Sequence, residues 1–384
     1  MKVAVLGYGT VGAGVYSMLS DAPGMEAGPV LVRPGKAVES FMVSDAALIF
    51  GDPTVDAVVE TLGGLDPAYS YGMRALEAGK HFITANKAMV AAHGLGLAAL
   101  AREKGAAFLF SAACGGGVPF LHNLALSAET DRIEAVSGIL NGTTNYMLDA
   151  MQRRGLSYGD ALREAQSLGY AESDPTADVF GLDALRKMQL ACAVAFGVLP
   201  QSGMLCEGME HFTAADVEDI QSRGLVCRLM ARGSRAGESV SAYVEPVLFP
   251  RAAPESSVFT NNNMARYTGK RCGSIVLMGQ GAGRFPTASA VLRDLSAAQQ
   301  GARSMFPENC RAAEADNREA VHSYYIRTGG FAAVRLSLRS VLAQGEVVRA
   351  VTEPMIAEKM HALAQNIRKD GNDLFFAALE EELC

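Results

Sequence analysis

Residues Lys2–Leu6 (KVAVL) form a short apolar run that breaks at Gly7, and a helical pattern of apolar positions follows. This order predicts a strand, a glycine turn and a helix. VDAVVETLGG then reads as a buried strand ending in Gly63 and Gly64, with PAYSYGMRALEAGK as its helix. HFITANKAMVAAHGLGLAALAREKG reads as a strand, a turn holding Asn86 and Lys87, and a further helix. Strands and helices alternating in this way predict a doubly wound parallel sheet, whose ligands sit at the C-terminal strand ends. Lys87 falls at such an end, where a ligand-facing lysine and an ordinary surface lysine are equally expected.

From Ala106 the pattern changes. AAFLFSAACGGGVPF is a strand running into a glycine-rich turn, and IEAVSGILNGTTNYMLDAM is a strand, a polar turn and a helix start. Asn141, Thr143, Thr144 and Asn145 beside Gly142 suit either a small polar ligand or helix capping. In SLGYAESDPTADVFGLDALRKMQL, the charged residues Glu172, Asp174, Asp178, Asp183 and Lys187 precede the almost wholly apolar run from Met188 to Leu199. That run predicts a helix buried on most sides, which takes its charges inside with it. Asp174 is expected at its N-cap and Pro175 at its first position. Asp183 and Lys187, four apart, share one face. An exposed pair of this spacing contributes only about 0.2–0.5 kcal/mol, whereas burying unpaired charge costs several kcal/mol. A polar cavity filled by a substrate explains them better than a simple ion pair or solubility does.

SVSAYVEPVLFP and GSIVLMGQGAGRFPTASAVLRDL bring more strands, a second glycine turn (Gly279, Gly281, Gly283) and a helix opened by Pro286 and Thr287. The stretch 320–384 holds two strand-like pieces, SYYIRT and AAVRLSL, and the amphipathic helix PMIAEKMHALAQNIRK.

The first turn carries the most specific chemistry. Gly7, Gly9 and Gly12 spell G-x-G-x-x-G between strand and helix, with Thr10 and Val11 inside it. That context distinguishes a dinucleotide fingerprint from an ordinary glycine-rich turn. The glycines serve the tight turn, the approach to the pyrophosphate and helix–strand packing, and the free N–H groups of the helix start meet the phosphates. An NAD-selective carboxylate belongs about twenty residues further on. Arg33 and Lys36 stand there instead, which suits the 2′-phosphate of NADP over NAD.

A length of 384 residues suits two or three domains. The net charge of −7, without Lys/Arg blocks, argues against nucleic acid or anionic membrane as partner and favours a small molecule. Seven cysteines (Cys114, Cys192, Cys206, Cys227, Cys272, Cys310, Cys384) include no C-x-x-C pair and read as reduced thiols. The chain enters a strand at once, and its longest apolar run falls short of the roughly 20 residues needed to span a bilayer. A cytoplasmic protein is expected.

GYGTVG, VDAVVETLGG, TANKA, ILNGTTNYML, EAQSLGYAESDPTADVFGLDALRK and GAGRFPTASAVLRDL follow one another in the order found in homoserine dehydrogenases, which the chain resembles over about residues 1–300. The resemblance implies interconversion of L-aspartate 4-semialdehyde and L-homoserine with NAD(P)H, on the route to threonine, isoleucine and methionine. It implies that Glu172 and Asp183 hold the amino-acid part of homoserine and that Lys187 donates a proton to the carbonyl oxygen during hydride transfer. Tyr170, Thr143 and Asp178 would line the same pocket. Lys87 would lie between nicotinamide and substrate, and Gly63, Gly169 and Gly283 would border the cofactor. Two neighbouring lysines would depress each other's pKa and ease proton exchange near neutral pH.

The implied fold is α/β. A Rossmann-type nucleotide domain, 1–115 completed by about 280–318, carries an inserted mixed-sheet catalytic and dimerisation domain at 116–279. A C-terminal extension at 319–384 follows, with a degenerate ACT-like module as one reading, and a homodimer or higher homo-oligomer is expected. The family pattern has a Glu where Ser111 stands; with the carbonyls of Cys114, Gly116 and Val118 it binds sodium, so sodium binding is not expected here. Two alternatives remain: another NAD(P)-dependent oxidoreductase of the same architecture, and a catalytically silent amino-acid or nucleotide sensor.

Overall fold

The computed structural model describes residues 1–329, 337–343, 345 and 347–380. Its first sheet has six strands in the order Met42–Val43, Glu26–Leu31, Lys2–Leu6, Ala57–Glu60, His81–Thr84 and Phe108–Leu109. Every pairing in it is parallel. Val3, Ala4, Val5 and Leu6 are wholly buried, as an unbroken apolar strand covered on both faces must be. Strand order reverses beside Lys2–Leu6, so the glycine turn lies at the topological switch point where such sheets bind ligands. The expected doubly wound sheet is present.

The second sheet is mixed and, among the described residues, has ten strands. Its order is Gly273–Gln280, Asn262–Gly269, Ile133–Ile139, Leu225–Ala236, Ser239–Pro250, Leu374–Leu379, Tyr324–Thr328, Val348–Thr352 and Leu338–Ala343, with Leu205–Cys206 also on Ser239–Pro250. The C-terminal stretch is therefore continuous with the central sheet: Leu374–Leu379 joins Ser239–Pro250 in parallel, Val247 opposite Ala378. SYYIRT supplies the Tyr324–Thr328 strand and PMIAEKMHALAQNIRK the Ala357–Lys369 helix. Residues 332–336 of AAVRLSL lie outside the described residues, as does Cys384.

The helix that carries the apolar run spans Leu182–Phe196 and so covers the run only as far as Phe196; Gly197, at φ +69°, ends the helix, and Val198–Ser202 is a strand. Met188, Leu190, Ala191, Cys192 and Ala193 are wholly buried. Each large apolar side chain so buried contributes about 1.5–3 kcal/mol. The expected helix start needs correction. Asp174 accepts from the Thr176 amide at 3.1 Å and Pro175 takes the cap position. The helix they open, Thr176–Val179, lasts one turn. Gly181, at φ +78°, then turns the chain before the buried helix begins, so Asp183 sits in the first turn of a new helix.

After Gln280 the chain returns to the first sheet. The helix Arg284–Gln299 begins two residues before the expected Pro286. It lies so close to Thr10–Leu19 that a Cβ on Gly14 would come within 2.8 Å of the Arg284 carbonyl. The Phe108 amide donates to the Arg303 carbonyl at 2.8 Å. No helix among the described residues is long and apolar enough to cross a membrane.

Candidate active site

Gly7 adopts φ +98°, a left-handed conformation that glycine tolerates. Gly12 is forced by packing: a Cβ there would come 2.1 Å from the Gly7 carbonyl. Gly9 caps the Thr10–Leu19 helix without a side chain, leaving the first amides, those of Thr10 and Val11 among them, without an intrahelical partner. Gly7 and Gly9 face a cavity of about 1130 Å³ whose lining also includes Gly63, Arg33 and Lys36, together with Tyr8, Phe41 and Glu39, while Thr10, Val11 and Gly12 are not part of that lining. The structure thus gathers two of the fingerprint glycines and both expected cations at one cavity. Glu39 adds a carboxylate that the sequence reading missed.

A second missed residue shapes the same rim. Glu60, wholly buried at its strand end, accepts from the Leu62 amide at 2.6 Å, the Gly63 amide at 3.2 Å and the Thr84 hydroxyl at 2.5 Å. It fixes the VVETLGG turn to the neighbouring strand. Asn86 continues this scaffold by donating to the Gly64 carbonyl at 2.6 Å and capping the Lys87–Lys104 helix through the Met89 amide. Lys87 is thereby placed at the first position of that helix.

Lys87, Asp183 and Lys187 lie together. Asp183 is buried, with Lys87 Nζ 3.0 Å from Oδ1 and Lys187 Nζ 2.7 Å from Oδ2. Lys187 Nζ also donates to the Leu140 carbonyl at 2.6 Å. Burial opposes ionisation of the Asp183 carboxyl, but the two ammonium groups outweigh it and hold this carboxyl well below its usual range. For Lys187 burial pulls downward, and the Asp183 carboxylate more than offsets it, so its pKa rises. The expected mutual depression of the lysines is overturned for Lys187, because a carboxylate stands between the two ammonium groups.

Around this core, Asp178 Oδ1 accepts from Asn141 at 2.7 Å, and Thr143 Oγ1 donates to the Tyr170 carbonyl at 2.5 Å. Tyr170 stacks edge-on against Tyr146 and remains partly exposed. Glu172 and Asp174 are exposed, so the charges of this segment do not all go inside; Asp183 does, while Lys187 and Asp178 are half-buried. Gly169, at φ +74°, is exposed just beyond the Tyr158–Ser167 helix, and Gly283 caps Arg284–Gln299. The turns at Gly116 and Gly281 touch: a Cβ on Gly116 would come 2.4 Å from the Gly281 carbonyl.

The homoserine dehydrogenase family model matches residues 119–296, and the NAD-binding domain model of homoserine dehydrogenase matches residues 7–111. A homoserine dehydrogenase of Synechocystis sp. is 37% identical over 319 residues, covering 77% of this chain and 72% of that protein. The chain belongs to the homoserine dehydrogenase family. As a member it is an NAD(P)-dependent oxidoreductase. A second relative, the homoserine dehydrogenase of Corynebacterium glutamicum, is 38% identical over 314 residues, or 76% of this chain and 70% of that one. The crystal structure of a homoserine dehydrogenase from Thiobacillus denitrificans superposes with a TM-score of 0.87 at 30% identity, covering 99% of this chain and 98% of that one.

Ser111, which stands where the family pattern has a Glu, is tied into the fold. Ser111 Oγ donates to Asp294 Oδ1 at 2.5 Å and the Ser111 amide to Oδ2 at 2.7 Å, so the serine is committed to holding the turn. Burial pushes the Asp294 carboxyl up to about 7 against these two hydrogen bonds. Of the turn's carbonyls, Val118 already accepts from Phe120 and Gly117 from Arg293. Among the described residues, no group of three or more His, Cys, Asp or Glu side chains could hold a metal ion. Cys114, in the same turn, is buried with its thiol pushed up to about 12 by that burial, which removes it as a nucleophile. The six described cysteines are free thiols.

Proposed function

We propose that the chain interconverts L-homoserine and L-aspartate 4-semialdehyde, with Lys187 moving the proton at the substrate oxygen. The observation that carries this reading is the Asp183 carboxylate held between two ammonium groups. An ammonium has three N–H donors. Asp183 and Leu140 take two of those on Lys187, which leaves one for a substrate oxygen. A bound nicotinamide supplies and accepts the hydride. As an aldehyde is reduced, negative charge develops on its oxygen, where Lys187 stabilises it and then donates a proton. Lys87 lies on the opposite oxygen of Asp183 and assists; Glu172, Asp183, Asp178, Thr143 and Tyr170 bind the amino-acid part. Gly169 and Gly283 border the cofactor. Homoserine-dependent formation of reduced cofactor tests the assignment.

The same reading has a nucleotide domain at 1–115, completed by about 280–318, a catalytic and dimerisation domain at 116–279, and a C-terminal extension at 319–384, for which a degenerate ACT-like module is one reading. The enzyme acts in the cytoplasm as a homo-oligomer, within threonine, isoleucine and methionine biosynthesis.

NADP(H) is the expected cofactor. Arg33 and Lys36 share the cavity with Gly7 and Gly9, and Arg33 can grip a 2′-phosphate with two parallel hydrogen bonds. The ratio of kcat/KM for NADPH over NADH should exceed one and fall in Arg33→Ala. A preference for NADH that Arg33→Ala leaves unchanged would remove Arg33 from cofactor selection and point to Glu39.

Activity should depend little on sodium or potassium. With Ser111 bound to Asp294, the glycine turn is held by hydrogen bonds within the protein. Rates in choline buffer, with NaCl or KCl added at constant ionic strength, should agree within about twofold. Saturable activation by one ion would show that the carbonyls of Cys114, Gly116 and Val118 still make a site.

A further inference from the structure

Asn141 ends the approach from the Ile133–Ile139 strand to the Gly142–Arg154 helix and is 4% exposed. Its Oδ1 accepts from the Thr144 amide at 2.8 Å and from the Thr144 hydroxyl at 3.0 Å. Its Nδ2 donates to Asp178 Oδ1 at 2.7 Å and to Asp183 Oδ2 at 2.9 Å. The amide has only one workable orientation: a backbone N–H needs an acceptor, two carboxylates need a donor, and a flipped amide meets neither need. Helix capping uses Oδ1 alone. Capping therefore leaves the two carboxylate bonds unexplained.

The two carboxylates come from different helices, Thr176–Val179 and Leu182–Phe196, on either side of the Gly181 turn. Like charges repel, and burial pushes the Asp178 carboxyl up while the bond from Asn141 opposes that push. Asp183 Oδ2 is also the oxygen that holds Lys187. Removing the Asn141 donors would take away one restraint on Asp183, leaving Lys87 and Lys187 to set its orientation, and would shift Lys187 with it.

We infer that Asn141 is a positioning residue for the reaction, whose side-chain NH₂ sets the spacing of Asp178 and Asp183 and so aims the Lys187 ammonium. This rests on the proposed homoserine dehydrogenase chemistry. Asn141 touches no reacting atom in this account and acts through the two carboxylates.

The inference separates from a structural role because serine and aspartate are helix caps comparable to asparagine. Asn141→Ser keeps the cap and replaces the two amide donors with one hydroxyl on a shorter side chain. Asn141→Asp keeps the cap and adds a third carboxylate, which regains one donor when protonated. Purified wild type and both variants are assayed for aspartate semialdehyde reduction across pH, with cofactor Kd and Tm measured on the same samples. Asn141→Ser should lose on the order of 10- to 100-fold in kcat/KM, the scale of a misplaced catalytic group, with cofactor Kd within about twofold and Tm within a few degrees of wild type. Relative to wild type, Asn141→Asp should be more active at about pH 6 than at about pH 8, and Asn141→Ser should show no such recovery. The inference is overturned if Asn141→Ser keeps wild-type kinetics, if its loss of activity is matched by losses in Tm and cofactor binding, or if Asn141→Asp shows no recovery at low pH. An inactive wild type would overturn the homoserine reading itself, and this inference with it.

Discussion

Lys187→Ala should lower turnover by roughly 10²–10⁴-fold, the usual range for losing a general acid–base group, while cofactor binding stays close to wild type. The ammonium lies 2.7 Å from Asp183 and 2.6 Å from the Leu140 carbonyl, so its position is fixed and alanine offers no substitute donor. The glycine turn and the Arg33 cavity belong to the first sheet, which keeps the cofactor site apart from the change. Stability should fall as well, since Asp183 then keeps only Lys87 as a cationic partner. Measuring kcat with saturating substrate, alongside cofactor Kd by fluorescence titration, separates chemistry from binding. Near-normal kcat would remove Lys187 from the mechanism, and a matching loss of cofactor affinity would show a general collapse instead.

Asp183→Asn should be nearly as damaging, with an additional signature in pH. Asp183 is what holds the Lys187 pKa above its ordinary value against burial. Without the carboxylate, burial is opposed only by smaller contributions such as that of Asp178, and that pKa falls. Aldehyde reduction needs the protonated lysine, so the alkaline limb of its pH–rate profile should move to lower pH, and turnover should fall on the order of 10²-fold. The linkage signs agree. Depressed in the fold, Asp183 contributes stability that is present above its unfolded pKa and lost as pH falls through the folded value. Lys187, raised in the fold, contributes stability that is fully present below its unfolded pKa and lost as pH rises through the folded value. Between about pH 4 and about pH 10 the pair's contribution is therefore constant. Breaking a wholly buried pair costs about 3–5 kcal/mol. Here the Lys187 and Lys87 side chains are 12% and 33% exposed, so solvent screening places the loss at or below the low end of that range. A profile whose alkaline limb stays in place would show that Asp183 does not govern the Lys187 proton.

What the sequence made legible was local. Gly7, Gly9 and Gly12 follow from backbone constraints within one turn, and the strands around them from unbroken apolar runs. Helical spacing put Asp183 and Lys187 on one face, but the preference for a polar cavity over a simple ion pair passed over the direct contact that the structure shows. Long-range partners were not visible in this way: Ser111 and Asp294 are 183 positions apart, and neither residue type signals the other. Glu60 went unnoticed because a carboxylate ending a buried strand looks like a loop residue until the amides it accepts from are in place. The helix boundary near Asp174 was misplaced for a physical reason: a sound local start signal is followed by Gly181, where the chain turns and begins a second helix. That turn brings Asp183 toward Lys87, and only the assembled fold shows why the carboxylate is buried.

The most direct test of the central claim is the rate at which the purified wild-type chain forms reduced nicotinamide cofactor from L-homoserine, measured with NADP and with NAD against a blank without homoserine. Saturable, homoserine-dependent turnover is expected, lowered roughly 10²–10⁴-fold in Lys187→Ala at unchanged cofactor affinity. A wild-type chain that binds the cofactor but turns over homoserine with neither form would contradict it.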